Sequence, residues 1–202
     1  DLLEPGYDIL FFWIARMILM TEFTLNTIPF KKIYLHGLVR DAQGRKMSKS
    51  LGNNMDPLDV TTKFGADAAR MALVVGNTPG TEMRMSEDKI KGYKHFANKL
   101  WNIARFVLEN ANGADMTTKY TEKNQRVRNM FNIEIKEITK DIENYRPYLA
   151  AEKIYHYVWH KFADLIIENS KNVFEEGDVE QKKSQKKLLI SIFTDILKVL
   201  HP

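Results

Sequence analysis

Apolar positions recur at helical spacing along the second half of the chain. Four runs have this periodicity, at about 86–113, 122–145, 148–170 and from 179 onward. Ser86 is suited to cap the first run, because Glu87 and Asp88 follow in the first turn, where a helix dipole favours anions. Four amphipathic helices with short connections predict a bundle in which each helix buries one apolar stripe.

The apolar stripes also predict which side chains form the core. In the first helix, the stripe is expected at positions 90, 93, 97, 100, 101, 104, 107 and 108. The later stripes include Met130, Ile142 and Leu165. Trp101 and Trp159 lie on stripes as well, and we therefore expect both rings in the core.

The first eighty residues have a different pattern. The expected elements are a helix from Asp8 to about Leu25, a strand at 32–36, a loop at 41–57 and short helices at 58–64 and 66–75. A helix, a strand, an irregular loop and further helices are typical of the end of an α/β unit. Two domains are therefore expected, 1–80 and 81–202, with a linker at 76–80.

Composition narrows the class of protein without identifying a function. Apolar residues make up 44% and charged residues 28%, as in an ordinary globular protein. The absence of cysteine excludes disulfides and thiolate metal sites, and a reducing cytoplasm is the expected location. The longest apolar stretch, at 9–20, contains Arg16 and is too short to span a bilayer. The net charge of +4 is too small to predict nucleic-acid binding by charge alone.

The sharpest motif is Lys46-Met-Ser-Lys-Ser50, which lies in a basic, glycine-containing loop. Its two lysines can place ammonium groups around one polyphosphate, and its serines add hydroxyl donors. Lysine suits this task because it is a mobile point charge that can follow charge developing on a leaving group. A solvated surface turn is the alternative that composition alone would favour.

This motif is similar to the signature loop of the class I aminoacyl-tRNA synthetases. The string from His36 to Asn53 and the segment Gly65-Ala-Asp-Ala-Ala-Arg70 resemble the valyl, isoleucyl and leucyl branch of that family. The resemblance implies that Lys46 and Lys49 bind the ATP triphosphate and stabilise the transition state of adenylate formation. The further ATP-binding residues that it implies are Met47, Ser48 and Ser50 in the loop, and His36 and Gly37 at the adenine. For His36 alone, a strand-end histidine satisfied by the backbone is the alternative.

A second motif, Gly6-Tyr-Asp8, precedes the first predicted helix. Glycine lets a ligand approach the backbone, and a carboxylate can accept hydrogen bonds from both hydroxyls of a ribose. As a bare pattern it also fits a turn with a helix cap. The family resemblance implies that Gly6 and Asp8 belong to the ATP site, with Asp8 on the ribose.

The string from Gly6 to Met17 favours the valyl branch, because the isoleucyl enzymes are expected to read Gly-Ser-Asp-Gln-His here. The resemblance implies that Ile9 and Trp13 line the amino-acid pocket. Their i, i+4 spacing places both on one face of a helix. Ordinary core positions are the alternative for both residues.

The helical part resembles the valyl branch as well, over the segment from Gly92 to Val107. In the family this helix opens the anticodon-binding domain. Lys99, Arg105 and Phe106 are the candidates for contact with tRNA, because cations neutralise phosphates and an aromatic ring can stack on an unpaired base. Solvated and packing positions are the alternative for all three.

The resemblance implies a mainly α fold, in which the C-terminal remnant of a Rossmann-type α/β catalytic domain is followed by an α-helical bundle that binds the anticodon. The implied ligands are ATP with Mg²⁺, valine and tRNA(Val), without a protein metal site. The class signature His-Ile-Gly-His is not present in the sequence, so we expect a chain truncated at both ends that is inactive alone. An isoleucyl or leucyl enzyme and a stand-alone tRNA-binding module without catalysis stay open as alternatives.

Overall fold

The fold is described from a computed structural model that covers residues 1–201. It is mainly helical, as predicted, and divides into two compact units, residues 1–91 and the part from residue 92 onward. Within residues 1–201, no helix combines the length and the apolar character needed to cross a membrane.

The first unit contains two parallel strand pairs and several helices. Its elements are β1 (Leu2–Leu3), α1 (Ala15–Leu25), β2 (Lys32–Ile33), β3 (Val39–Arg40), α2 (Pro57–Phe64), α3 (Ala66–Val74) and β4 (Met83–Arg84). β1 pairs with β2, and β3 pairs with β4, both in parallel. Parallel pairing across helical connections is typical of α/β proteins and fits the predicted α/β remnant.

The first helical segment, residues 7–25, changes its winding twice. A 3₁₀ turn at Tyr7–Ile9 passes into a π-helical turn at Leu10–Ile14, and α1 continues from there. The segment ends at Asn26, which has the left-handed conformation with a φ of 51°. The predicted helix from Asp8 to about Leu25 is confirmed, and its π turn is of a kind that is frequent at functional sites.

The short helices of the first unit also match the prediction. Asp56 caps α2 by accepting a hydrogen bond from the N–H of Leu58, and Pro57 occupies the first helical position. Gly65, with a φ of 93°, separates α2 from α3. The strand predicted at 32–36 is shorter than expected, because regular pairing covers only β2 and resumes as one isolated bridge at His36.

The predicted helical bundle is confirmed. Its elements are α4 (Glu87–Ala111), α5 (Glu122–Glu143), α6 (Pro147–His156), a π-helical stretch (Tyr157–Ile167), α7 (Glu168–Glu176) and α8 (Val179–Leu200). Ser86 caps α4, since its Oγ accepts a hydrogen bond of 3.2 Å from the N–H of Lys89. The third predicted helix extends past residue 170 to Glu176, because Gly177 is the first residue that leaves the helix.

The core prediction for Trp101 is wrong. Its side chain is 71% exposed and that of Leu108 is 73% exposed, whereas Phe96 and Ile103 are buried. Ile90 and Val107 of the predicted stripe are buried as expected, so the buried line of α4 is shifted toward Phe96 and Ile103 and away from Trp101 and Leu108. Trp159 is half-buried, with its ring centroid 6.2 Å from that of Phe96.

The other predicted stripes are confirmed in part, since they are narrower than expected. Met130, Ile142 and Leu165 are exposed by 64%, 42% and 64%, whereas the neighbouring Phe131 is fully buried. A helix of this bundle therefore buries a narrower face than a wide apolar stripe suggests.

The buried side chains of Asp141 and Ser184 in the second unit are paired with polar neighbours. Asp141 is only 3% exposed, and its carboxylate accepts from Arg146 at 2.8 Å and from Lys153 at 2.6 Å. The buried Oγ of Ser184 accepts a hydrogen bond of 2.9 Å from Nδ2 of Asn124. Such pairing offsets the cost of removing these groups from water.

Candidate functional site

The Gly6-Tyr7-Asp8 turn begins where β1 ends. Gly6 has an extended backbone and forms a parallel bridge with His36, which follows β2. Because the carboxyl ends of parallel strands open at the same edge, the two sequence motifs lie side by side there. A Cβ built on Gly6 would lie 2.7 Å from Oδ1 of Asp8 and 3.6 Å from Cε1 of His36, so glycine keeps this edge open.

The pair His36-Gly37 is held by backbone contacts. Nδ1 of His36 lies 3.0 Å from the carbonyl oxygen of Gly37, and the N–H of Gly37 donates to Oδ1 of Asn77 at 3.3 Å. A Cβ on Gly37 would lie 1.5 Å from the carbonyl oxygen of Thr81. Internal packing therefore requires this glycine, and a role of His36 and Gly37 at adenine stays a prediction.

Lys46 connects the lysine loop, defined as residues 46–50, to the Gly6–Asp8 turn. Its Nζ lies 3.9 Å from Oδ2 of Asp8, and the two side chains are 69% and 40% exposed. An ion pair this open adds little to stability. Its importance is geometric, because one ligand bearing both hydroxyl and phosphate groups can contact the carboxylate and the ammonium together.

The rest of the lysine loop is a solvent-facing turn. Lys49 and Ser50 are exposed, whereas Met47 and Ser48 are half-buried. Oγ of Ser48 lies 3.1 Å from Oγ of Ser50 and accepts from the N–H of Leu51 at 3.3 Å. The loop thus carries two exposed ammonium groups with two hydroxyls between and beside them, an arrangement suited to an anion with several oxygens.

The base of the lysine loop is held by two residues that sequence reasoning missed, Asp41 and Asn53. Nδ2 of Asn53 donates to Oδ2 of Asp41 at 2.9 Å. This hydrogen bond, followed by those from Arg45, lowers the pKa of Asp41 to about 2. The sequence carries a weak signal for the turn, since Asp followed by Gly44 is typical of Asx turns, but it carries none for the pairing with Asn53.

A second set of contacts joins the Gly6–Asp8 turn to the lysine loop. The hydroxyl of Tyr7 donates to Oε1 of Glu82 at 3.0 Å, and the guanidinium of Arg40 pairs with the same carboxylate. The hydrogen bond from Arg40 lowers the pKa of Glu82, and the contact with Glu82 raises the pKa of Tyr7. Arg40 also forms an antiparallel bridge with Lys46, so both motifs share one hydrogen-bonded frame.

Ile9 and Trp13 lie on the first helical segment, as expected. Ile9 is half-buried and Trp13 is 61% exposed, so the core alternative does not hold for Trp13. Phe11 and Phe12 on the same segment are also exposed, by 80% and 66%, and Ile14 is buried. The i, i+4 spacing places Ile9 and Trp13 on a common face, and their role at an amino acid stays a prediction.

The three candidates for tRNA contact lie on α4. Nζ of Lys99 is 5.3 Å from the centroid of the Trp159 ring, and Nη2 of Arg105 is 3.8 Å from Oε1 of Glu109. Phe106 is half-buried. Lys99 and Phe106 are seven residues apart and share one side of the helix, whereas Arg105 lies about 100° away. Both cations thus already have partners within the chain.

No metal centre accompanies these motifs in the described part of the chain. Residues 1–201 contain no group of three or more histidine, aspartate or glutamate side chains placed to hold a metal ion.

Two family models match the chain. The model of class I tRNA synthetases (I, L, M and V) matches residues 1–86, and that of the anticodon-binding domain of tRNA ligase matches residues 124–202. The first match contains Gly6, Asp8 and the lysine loop, and the second begins near the start of α5 and continues through α8.

Curated relatives extend the match to the whole chain. The valine–tRNA ligases of Clostridium acetobutylicum and Clostridium tetani are each 42% identical to it over 100% of the chain. The valine–tRNA ligase of Oceanobacillus iheyensis is 38% identical over 100% of the chain. The chain spans 24% of the two clostridial proteins and 23% of the third, which is about a quarter of their length.

Solved structures share the fold at low sequence identity. The ternary complex of Agrobacterium radiobacter LeuRS with tRNA and LeuAMS has a TM-score of 0.73 and 20% identity, over 100% of this chain and 25% of that one. Mycobacterium tuberculosis methionyl-tRNA synthetase bound by methionyl-adenylate has a TM-score of 0.67 and 20% identity, over 99% of this chain and 41% of that one. The family models, the relatives and the shared fold agree: the chain belongs to the class I aminoacyl-tRNA synthetases, in the valine–tRNA ligase family.

Proposed function

We propose that this chain supplies the ATP phosphate loop and the anticodon-binding helices of a longer valine–tRNA ligase. That enzyme joins the carboxylate of valine to the α-phosphorus of ATP and releases pyrophosphate. It then transfers the valyl group to a terminal hydroxyl of tRNA(Val) and releases AMP. The observation that carries the proposal is the 3.9 Å approach of Lys46 to Asp8, which joins a phosphate-binding motif to a ribose-binding one.

The residues divide into roles by their chemistry. Lys46 and Lys49 bind the triphosphate and stabilise the negative charge that grows on the departing pyrophosphate. Asp8 accepts from the ribose hydroxyls, and Ile9 and Trp13 offer an apolar face to valine. The remaining residues of the proposed ATP site are Gly6, His36, Gly37, Met47, Ser48 and Ser50. Mg²⁺ is expected to enter bound to the ATP phosphates rather than to protein ligands.

The helical part is proposed to bind tRNA(Val). We place the domain boundary between residues 80 and 81, with the catalytic part before it and the anticodon-binding domain after it. Lys99, Arg105 and Phe106 are the proposed contacts, with phosphates for the cations and an unpaired base for the ring. The cytoplasm is the proposed location, because the proposed function is a step of protein synthesis.

The test is valine-dependent exchange of pyrophosphate into ATP by the full-length enzyme. Lys46→Ala and Lys49→Ala should each lower the exchange rate by about 10²- to 10³-fold, because each removes an interaction made mainly in the transition state. The KM for valine should stay within about threefold. Lys31→Ala, an exposed lysine outside the loop, is the control and should leave the rate unchanged.

Two results would contradict the proposal. One is a rise in the KM for valine at an unchanged exchange rate, since this would place the lysines at the amino acid rather than at the phosphates. The other is valine-dependent exchange by the 202-residue chain alone, since the proposal assigns it only part of the ATP site.

A further inference from the structure

The main chain of the lysine loop is held by one side-chain amide. Oδ1 of Asn53 accepts a hydrogen bond of 2.9 Å from the N–H of Ser48, and Nδ2 of Asn53 lies 3.3 Å from the carbonyl oxygen of Lys46. The same Nδ2 donates to Oδ2 of Asp41 at 2.9 Å. Asn53 thus contacts the loop on both sides of Met47 and connects it to Asp41.

Asp41 provides the fixed end of this connection. It is 6% exposed, and its Oδ1 accepts from the N–H of Gln43 at 3.0 Å and from that of Arg45 at 2.8 Å. Its Oδ2 also accepts from Nε of Arg45 at 2.8 Å. Together with Nδ2 of Asn53, four donors therefore orient this one carboxylate. The guanidinium of Arg45 also balances its negative charge.

These contacts fix the backbone of the loop and leave its lysine side chains exposed. The side chain of Lys46 is 69% exposed and Lys49 is exposed. Gly44 and Gly52 flank the loop with φ of 82° and 63°, conformations that allow it to turn sharply at both ends. Without the contacts of Asn53 and Asp41, such a loop would sample many conformations, and its two lysines would no longer point in a common direction.

We propose that Asp41 and Asn53 are positioning residues, which hold the main chain of Lys46–Ser48 in the shape that directs both lysines at the ATP polyphosphate. This inference rests on the proposed function of the lysine loop. It assigns no contact with ATP to Asp41 or Asn53. They act through the loop by ordering it before the substrate binds, which lowers the cost of reaching the reactive geometry.

The experiment compares Asn53→Ala with Asn54→Ala in the full-length enzyme. Asn54 is the exposed neighbour and serves as the matched control. Asn53→Ala should lower the rate of pyrophosphate exchange by about tenfold or more, because misplacement of about 1 Å has effects of this size. The KM for valine should stay within about twofold, and trypsin should cleave at the loop lysines about tenfold faster. Asn54→Ala should match the wild type in all three measurements.

A reciprocal exchange of the two side chains separates positioning from general stability. Asn53→Asp places two carboxylates about 2.9 Å apart and should be at least as slow as Asn53→Ala. The double variant Asp41→Asn/Asn53→Asp removes this repulsion and again places a donor opposite an acceptor. Nε of Arg45 and the carbonyl oxygen of Lys46 then face groups of their own kind, so the double variant should be faster than Asn53→Asp but slower than the wild type. This comparison also decides the case if Asn53→Ala fails to fold.

The outcomes distinguish this inference from the function on which it rests. Wild-type exchange by Asn53→Ala, or a double variant no faster than Asn53→Asp, would overturn the positioning role while a slow Lys46→Ala variant upholds the ATP loop. A rise in the KM for valine without loss of rate would likewise assign Asn53 to the general fold. If Lys46→Ala is also as fast as the wild type, the proposed function itself fails.

Discussion

Replacing Gly37 by alanine should open the β3–β4 strand pair. The added Cβ would lie 1.5 Å from the carbonyl oxygen of Thr81, whereas ordinary contact needs 3.4 Å or more, so the two must separate by about 1.9 Å. The neighbouring hydrogen bonds are that from Gly37 to Asn77, 3.3 Å long, and those from Gly80 to Leu35 and from Met83 to Leu38, each 2.9 Å long. Losing two or three bonds at about 1 kcal/mol each predicts a destabilisation of about 2–3 kcal/mol.

Hydrogen exchange measured by mass spectrometry would localise this effect. Peptides over 33–41 and 79–86 should exchange about 30- to 150-fold faster in Gly37→Ala, because each 1.36 kcal/mol corresponds to a factor of ten. Peptides from α5 and α8 should keep the wild-type rate, since they belong to the other compact unit.

The control is Gly92→Ala, which should raise the free energy of unfolding instead of lowering it. Gly92 lies inside α4, and a Cβ there meets nothing within 4 Å. Gly92→Ala should therefore stabilise the helix by about 0.5–1 kcal/mol. Unchanged exchange at 33–41 in Gly37→Ala would refute the packing explanation and leave ligand contact as the reason for glycine there.

Three further predictions concern the two units and the loop. Limited proteolysis should cut first within 40–63 and leave a resistant helical fragment, because we expect the helical unit to be the more stable one; early cleavage within 90–110 would contradict this. Phe131→Ala should cost about 3–5 kcal/mol in urea unfolding, against about 0.5 kcal/mol for the exposed Met130→Ala; equal losses would disprove the corrected stripe of α5. The pKa of Asp41, about 2, lies below its ordinary value, so its ionised form stabilises the loop base above about pH 4 and this stabilisation is lost as the pH falls through 2. NMR titration of the Asp41 carboxyl carbon measures this, and a midpoint near 4 would show that the hydrogen bonds to it are not formed in solution.

Sequence reasoning located the helices well because their signals are local. The cap at Ser86 and the break at Gly65 each depend on residues within a few positions, and both are found in the structure. The residues that face the core were predicted less accurately, because two adjacent apolar residues can both fit a wide apolar stripe. In α4, for example, Phe96 and Ile103 are buried, whereas Trp101 is exposed.

The geometry of the candidate site could not be predicted from the sequence, for a physical reason. The bridge between Gly6 and His36 and the hydrogen bond between Asp41 and Asn53 join residues that are distant in the chain. Such pairs are fixed by strand pairing and by the path of the loop, neither of which a local pattern encodes. The motif residues themselves could be named from the sequence, but the residues that support them could not.

The exposed rings of the first helical segment have a consequence for how this chain behaves in water. Phe11, Phe12 and Phe23 are exposed by 80%, 66% and 88%, and every Å² of such surface raises the hydration free energy by about 25 cal/mol. Salting-out ions increase that cost further, whereas a net charge of +4 gives only modest mutual repulsion. This stretch therefore favours self-association of the chain, and replacing those three phenylalanines by polar residues should raise its solubility.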